Sequence, residues 1–362
     1  MKKNLQLDGI RGLAILLVLC VHTPILLRPL GLDGAAQQGW FGVDLFFVLS
    51  GFLITSILFN TVGEPGWRTS FYWRRALRIL PVYLLVMTYA FLILPRMSPA
   101  ASGWHRSAFW WGWYAVFLQN WAFPGYGYTP LFVTWSLAVE EQFYVVWSTI
   151  VGAAGRKLVG ILATATVIVS PLIRWWGIHH GIDWNTIYTR TVFHLDGLAI
   201  GALLALWYVS AQERERWSKW FWSAAIGGAV LSFASLLSRN VHEGQHSILI
   251  YSTLALCFGG IVGLAALEEL PLFRWRPLRF LGTISYGLYL YHPLTFMTYE
   301  ISPLRTKLAP HPWIEGLVRN GLAISVASLS YFQLECRVLS YKDALPARSK
   351  FEPMKAVLHA GN

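Results

Sequence analysis

Charge is what this sequence has least of. Only 13% of its 362 residues are Asp, Glu, Lys or Arg, about half the share in a soluble domain. Acids are the scarcer kind, 18 against 29 lysines and arginines. A chain so poor in charge, and 55% hydrophobic, reads as a membrane protein that crosses the bilayer several times. Cysteine is nearly absent. Cys20, Cys257 and Cys336 lie in or beside apolar runs, which excludes a disulfide framework and gives no metal-ligand spacing. The sequence has no low-complexity tract, no strong internal repeat and no soluble second domain. The net charge of +11 does not point to nucleic acid, because cations at the cytoplasmic ends of spans give the same excess.

What is present is a series of apolar runs of spanning length, near residues 10–29, 41–60, 78–95, 134–152, 157–176, 193–209, 220–238, 249–268, 281–300 and 313–334. Met1-Lys2-Lys3 has the look of a signal n-region, but no small-residue cleavage site follows, so an uncleaved first span is expected. Lys2 and Lys3 place the N-terminus in the cytoplasm. A shorter, Trp-rich run, 109–121, decides the rest of the topology. The second span returns Arg68, Arg74, Arg75 and Arg78 to the cytoplasm, and if 109–121 does not cross, Arg156, Lys157, Arg214, Arg216, Lys219, Arg274, Arg276 and Arg279 all fall inside as well. The expectation is an all-α polytopic bundle of about ten transmembrane helices with both termini cytoplasmic. The membrane domain covers 1–340 and a polar tail 341–362. Segment 96–133 becomes an outer loop with an interfacial or re-entrant helix carrying Trp110, Trp111, Trp113 and Trp121, and Phe123 to Tyr128 form a turn-rich approach to the next span.

Ionisable groups inside spans are costly and are therefore candidates for function. Arg11 and His22 are about three helical turns apart, on one face and about 16 Å apart along the axis. Only uncharged residues stand between them. The expected topology places His22, Asp44 and Glu140 at similar depths, about 5–10 Å below the outer ends of their helices. A carboxylate beside His22 would orient its ring and raise its basicity, as a general base requires; the alternative is a buried histidine satisfied by a carboxylate. Arg74, Arg75 and Arg78 cluster at the cytoplasmic start of the third span, level with Arg11. They suit anionic lipid headgroups or a phosphate-rich ligand. One such ligand is acyl-CoA, whose pantetheine arm is comparable in length with the Arg11–His22 separation. Asp8 pairs with Arg11 one turn away. Asp196 fits either structural pairing or acceptor binding. Tyr286, Tyr289 and His292 share helical spacing and are either packing residues or the lining of a site. Glu335 ends the last span near Arg337, and His179 and His180 fall in an outer loop.

With these residues in view, the chain resembles the acyltransferase-3 family of integral-membrane acyltransferases over about residues 5–340. Leu7-Asp8-Gly9-Ile10-Arg11-Gly12-Leu13-Ala14 with His22 matches its opening arginine-to-histidine motif. Gly42-Val43-Asp44-Leu45-Phe46-Phe47-Val48-Leu49-Ser50-Gly51-Phe52 is close to its second-span motif, and Arg74-Arg75-Ala76-Leu77-Arg78-Ile79-Leu80-Pro81 to its third-span motif. Trp135-Ser136-Leu137 with Glu140 and Phe143-Tyr144, and Ile284-Ser285-Tyr286 through His292-Pro293, match two more. Two departures stand out. His194 occupies a position where the family often has arginine, two residues before the aspartate, and no proline follows Glu335 closely. The resemblance implies transfer of an acyl group, usually acetyl, from acyl-CoA to a hydroxyl of a carbohydrate or glycoside in the bacterial inner membrane. Arg11, Arg74, Arg75 and Arg78 would bind CoA phosphates. His22 would act as general base or transient acyl carrier, oriented by Asp44 or Glu140. Tyr286, Tyr289, His292 and Asp196 would serve the acceptor. Membrane lipids are the surroundings, and no metal or resident cofactor is expected. Some members add an extracytoplasmic domain, which this sequence does not show. The rival from another class is a transporter or flippase of a glycan or lipid-linked sugar, with the intramembrane His and carboxylates as a proton relay; it would show broken helices and repeat symmetry.

Overall fold

Inside a bilayer the backbone must satisfy its own polar groups, and for a chain built of long apolar runs the helix does so within each segment. The computed structural model describes residues 4–97, 110–122, 131–211, 213–237 and 247–343, and among them every regular element is helical. Among the described residues, ten long helices overlap the ten apolar runs. They are α1 (Leu5–His22), α2 (Phe41–Thr61), α3 (Trp67–Thr88), α4 (Thr134–Ala153), α5 (Arg156–His179), α6 (Leu195–Ser210), α7 (Ser218–Leu237), α8 (Ser247–Ala266), α9 (Arg276–Glu300) and α10 (Pro312–Ser330).

Among the described residues, six helices are long and apolar enough to cross a membrane, those containing α1, α2, α3, α5, α8 and α10. The shortfall from ten has physical causes in three helices. Helix α4 carries Glu140 and Glu141 in mid-helix, α6 has only 16 residues, and α9 opens on Arg276 and Arg279 and is rich in tyrosine. Helices α3 and α10 continue through wide π-helical turns, Tyr89–Ile93 and Tyr331–Glu335. The Trp-rich run does not form one span. Its described part is two short helices, Trp110–Ala115 and Gln119–Ala122, parted by Phe117 in the left-handed region. Gln142 of α4 holds this segment, donating to the Phe117 carbonyl at 2.7 Å and to Asn120 Oδ1 at 2.9 Å. The turn-rich stretch Phe123 to Tyr128, Met1 to Lys3, and the tail from 344 lie outside the described residues.

Two crossings set the frame. Helix α1 lies on α9 with backbones nearly touching: a Cβ at Gly12 would stand 1.9 Å from the Leu278 carbonyl oxygen, and one at Gly282 1.8 Å from that of Asp8. Helix α2 meets α6 in the same way at Gly51 and Gly201. Small residues allow such approach where lipid gives no hydrophobic drive for helices to associate. The start of α1 is pinned as well. Asn4 caps it, accepting from Gln6 N at 2.9 Å, and buried Gln6 bonds the Glu268 carbonyl at 2.8 Å and Leu270 N at 2.9 Å.

The crossing should therefore fail before the helices do. Gly282→Leu is expected to cost about 3 kcal/mol or prevent folding, whereas Gly321→Ala, which meets open space, leaves the midpoint unchanged or slightly raised. Thermal unfolding of the two variants in detergent, with size-exclusion profiles, checks this.

Candidate functional site

Helices α1, α2, α3, α4 and α9 surround a cavity of about 400 Å³. At its exposed end stand Arg11, Arg74, Arg75, Arg78 and Lys342, and the only acid among its lining residues is Glu140. The cationic cluster expected from the sequence is thus brought together with Arg11 around one space. Arg11 is pre-set by Asp8, one turn back, at 2.8 Å and keeps 31% of its side chain exposed. The Arg75 guanidinium lies over the Tyr144 ring at 5.7 Å and that of Arg78 over Tyr286 at 5.9 Å. Planar guanidinium groups stack on rings while their N–H edges remain available for phosphate or carboxylate. Tyr286 is itself fixed, its hydroxyl donating to the Ile79 carbonyl at 2.7 Å. Glu140 does not float among these cations: Ser50 donates to one carboxylate oxygen at 2.8 Å and Tyr144 to the other at 2.9 Å. The i,i+4 spacing on α4 and the short Ser50 side chain of α2 make that clamp possible. Ser50, Tyr144, Ser136 and Lys342 were not singled out from the sequence; Ser50, Tyr144 and Ser136 sit inside the very motifs that carry the resemblance.

The buried end of the cavity is apolar, with Val43, Phe46, Phe47 and Leu49, and closes on Tyr289. The Tyr289 hydroxyl lies 2.7 Å from Ser136 Oγ and 2.9 Å from the Val133 carbonyl. Beyond Tyr289 the rings continue. His292 follows at a centroid distance of 5.9 Å, and His22 stands 4.8 Å from His292, edge to face. His22 Nδ1 lies 2.8 Å from the Val18 carbonyl, and a carbonyl only accepts, so Nδ1 carries the hydrogen and Nε2 is the basic nitrogen. The side chain is exposed on the far side of this pair. His22 therefore stands next to the cavity's closed end and outside its lining, as does His292.

Two expectations are corrected here. Neither Asp44 nor Glu140 is bonded to His22. Similar depth did not bring them together, because each points from its helix toward a different neighbour. Glu140 faces Ser50 and Tyr144, while Asp44 is buried with one oxygen 3.7 Å from His194 Nδ1 and the other unpartnered. Asp196 does not line the cavity. It accepts from Arg174 at 2.8 Å and from Ser252 Oγ at 2.7 Å, and Arg174 is completely buried, bonding also the Phe193 carbonyl at 2.6 Å and the Ile248 carbonyl at 2.9 Å. The missing arginine two residues before Asp196 is thus supplied from α5. Arg174 escaped notice in the sequence, although a lone arginine in the 157–176 run was a signal of the same kind as His22. Glu335, at the end of the last long helix as expected, is buried against Gly287, where a Cβ would stand 3.0 Å from its Oε1. Arg337 bonds Gln333.

The Arg174–Asp196 pair is a stability element. Breaking a buried pair leaves an uncompensated charge, so Asp196→Asn is expected to cost about 3–5 kcal/mol, read as a lower midpoint in thermal unfolding with no specific change in ligand binding.

A family model described as an acyltransferase domain, acyltransferase-3, matches residues 4–325. The chain is 28% identical to the peptidoglycan O-acetyltransferase OatA of Listeria monocytogenes, over 91% of this chain and 55% of that protein. It is 28% identical to the O-acetyltransferase OatA of Staphylococcus aureus, over 79% of this chain and 49% of that protein. The chain thus spans about half the length of the curated relatives it matches. No solved structure matches it.

Proposed function

The chain belongs to the acyltransferase-3 family, and from the cavity it builds we propose that it is a multi-pass bacterial inner-membrane O-acyltransferase. It moves an acyl group, acetyl first, from acyl-CoA to a hydroxyl of a carbohydrate acceptor. The observation that carries this reading is the cavity with five cations at its exposed end, one clamped carboxylate, and an apolar buried end that stops one ring short of the two histidines. Arg11, Arg74, Arg75 and Arg78 hold the phosphates of the donor. The pantetheine arm follows the apolar wall past Phe46 and Leu49 toward Tyr289, and the thioester reaches His22 when the Tyr289 ring that closes the cavity yields. Glu140, held by Ser50 and Tyr144, keeps the ring under Arg75 in place. The names of the relatives, which are O-acetyltransferases and in one case specify peptidoglycan, support acetyl as the group and a glycan as the acceptor.

In the reaction, His22 Nε2 takes the proton from the acceptor hydroxyl. The oxygen lone pair forms the bond to the thioester carbonyl carbon and the C–S bond breaks. The sulfur leaves with its electron pair and takes the proton from His22. The imidazole ends as it began. In the variant in which His22 is a transient acyl carrier, Nε2 makes the bond to the carbonyl carbon as the C–S bond breaks and the thiolate leaves with its electron pair; the acceptor oxygen then makes its bond to that carbon, the C–N bond breaks back to a neutral imidazole, and the hydroxyl proton goes to the released thiolate. The topology that suits both is ten crossings with the two termini and the arginine cluster in the cytoplasm, so that donor and acceptor approach His22 from opposite sides. Asp44 and Asp196, deep in the α2–α5–α6 contact, serve the fold.

His22→Ala is expected to abolish transfer of labelled acetyl from acetyl-CoA in purified protein, and undiminished transfer would end this reading. Arg75→Ala or Arg78→Ala is expected to raise the KM for acetyl-CoA about tenfold or more with the folded yield unchanged. Incubation with labelled acetyl-CoA and no acceptor separates the two chemistries: stoichiometric label on the protein marks the acyl carrier, its absence the general base.

A further inference from the structure

We propose that His292 is a positioning residue for His22: a neutral imidazole, buried with a free Nε2, against which the positive charge on His22 develops. The inference rests on the function proposed for His22 and adds to it the group that answers the charge. That group is not the carboxylate expected from the sequence. Among the described residues no carboxylate is bonded to either ring, and the nearby Arg319 is engaged with Glu300 at 3.1 Å and Glu315 at 3.6 Å.

Three observations converge. The rings are 4.8 Å apart, edge to face at 68°, within reach for a cation on one to feel the face or lone pair of the other. Both tautomers are fixed by the backbone. His22 Nδ1 is held by Val18 O at 2.8 Å and His292 Nδ1 by Leu288 O at 3.1 Å. Pro293 reinforces the second lock. It has no N–H to give the Tyr289 carbonyl, so that carbonyl too is left as an acceptor beside His292 Nδ1. Finally, His292 Nε2 is buried with no partner, and the side chain is 0% exposed. An unpartnered nitrogen lone pair in a closed apolar setting costs stability, and packing alone would be served as well by phenylalanine.

The cost has a use when His22 changes charge. In the resting state both rings are neutral and their interaction is weak. When His22 Nε2 holds the acceptor's proton, the ring is an imidazolium whose Nδ1–H already has its acceptor, and the neutral His292 ring meets the new charge in a medium of low dielectric. The interaction is stronger in the transition state than in the ground state, which is the condition for it to accelerate the chemical step. His292 forms no bond to substrate and gains no proton. Tyr289, hydrogen-bonded to Ser136 and Val133, and Phe296 at 5.7 Å hold its ring from the other sides.

The test is His292→Phe, which keeps a ring of similar shape, beside His292→Gln, which restores an acceptor oxygen. With labelled acetyl-CoA and a glycan acceptor, kcat of the Phe variant is expected to fall about tenfold to thirtyfold. KM for acetyl-CoA should stay unchanged and the thermal midpoint hold or rise, because an unpartnered buried nitrogen is removed; the Gln variant regains part of kcat. A Phe variant with full kcat overturns the proposal, as does one whose loss lies wholly in KM. If the Phe variant does not fold, a Gln variant with kcat unchanged from the parent and from His292→Leu overturns it. His22→Ala in the same assay separates the two claims. An active His22→Ala removes the reading of the site, whereas an inactive His22→Ala with a fully active His292→Phe removes only the inference about His292.

Discussion

The close crossing of α1 on α9 is the constraint on which the rest of the site depends. Gly12 and Gly282 let the two backbones touch, with Asp8 and Leu278 supplying the opposing carbonyls. Ten residues further along each helix stand His22 and His292, 4.8 Å apart. Equal advance along both helices means that they run in the same direction and stay in register for about 15 Å. Arg11, next to the crossing, opens into the cavity, while His22, at the far end of the same rod, meets α9 beyond the cavity's closed end. A side chain at residue 12 or 282 would separate the helices and lose both the cationic mouth and the imidazole pair at once.

Charge is distributed in this protein by what each site must do. The buried Arg174 is matched by Asp196, Ser252 and two carbonyls, so nothing is left over for a ligand. The cavity cations are organised the other way. Arg75 and Arg78 rest on tyrosine rings, which steady them without consuming their hydrogen-bonding edges, and the one acid lining the cavity is occupied by two hydroxyls. An anionic ligand entering such a mouth finds in Arg75 and Arg78 donors that are already oriented by the rings beneath them.

Much of this was legible in the sequence. Apolar runs located ten helices, because in a chain this poor in charge each interruption is conspicuous, although the third helix starts eleven residues before its run, at Trp67, and the first ends seven residues short of its run, at His22. The cationic mouth was legible because Arg74, Arg75 and Arg78 fall on adjacent turns of one helix and Arg11 at the same depth. What failed was inference from depth to contact. His22, Asp44 and Glu140 lie at comparable levels by residue counting, yet a helix residue faces one direction only, and that direction is set by packing at Gly51, Gly201, Gly12 and Gly282. The partner of His22 was present in the sequence as His292, eight residues before Glu300 at the end of α9. Only the parallel register of α1 and α9 brings the two together.

The polar atoms that remain unpaired in the core complete this picture. Asp44 with His194, His292 and Glu335 keep buried oxygens or nitrogens without hydrogen bonds, whereas the network of Gln142, Asn120 and Thr191 that fastens the Trp-rich segment is bonded throughout. Full satisfaction makes a contact rigid and unique; an unpaired group keeps a capacity for interaction that the resting fold does not use. Helix α9 combines the two conditions. Its tyrosines 286, 289 and 291 are each tied to a neighbouring helix, and between these fixed points Pro293 releases one carbonyl and His292 keeps one nitrogen free. A helix anchored at its hydroxyls and unpaired at one imidazole is stiff where it must hold the cavity and responsive only where charge appears.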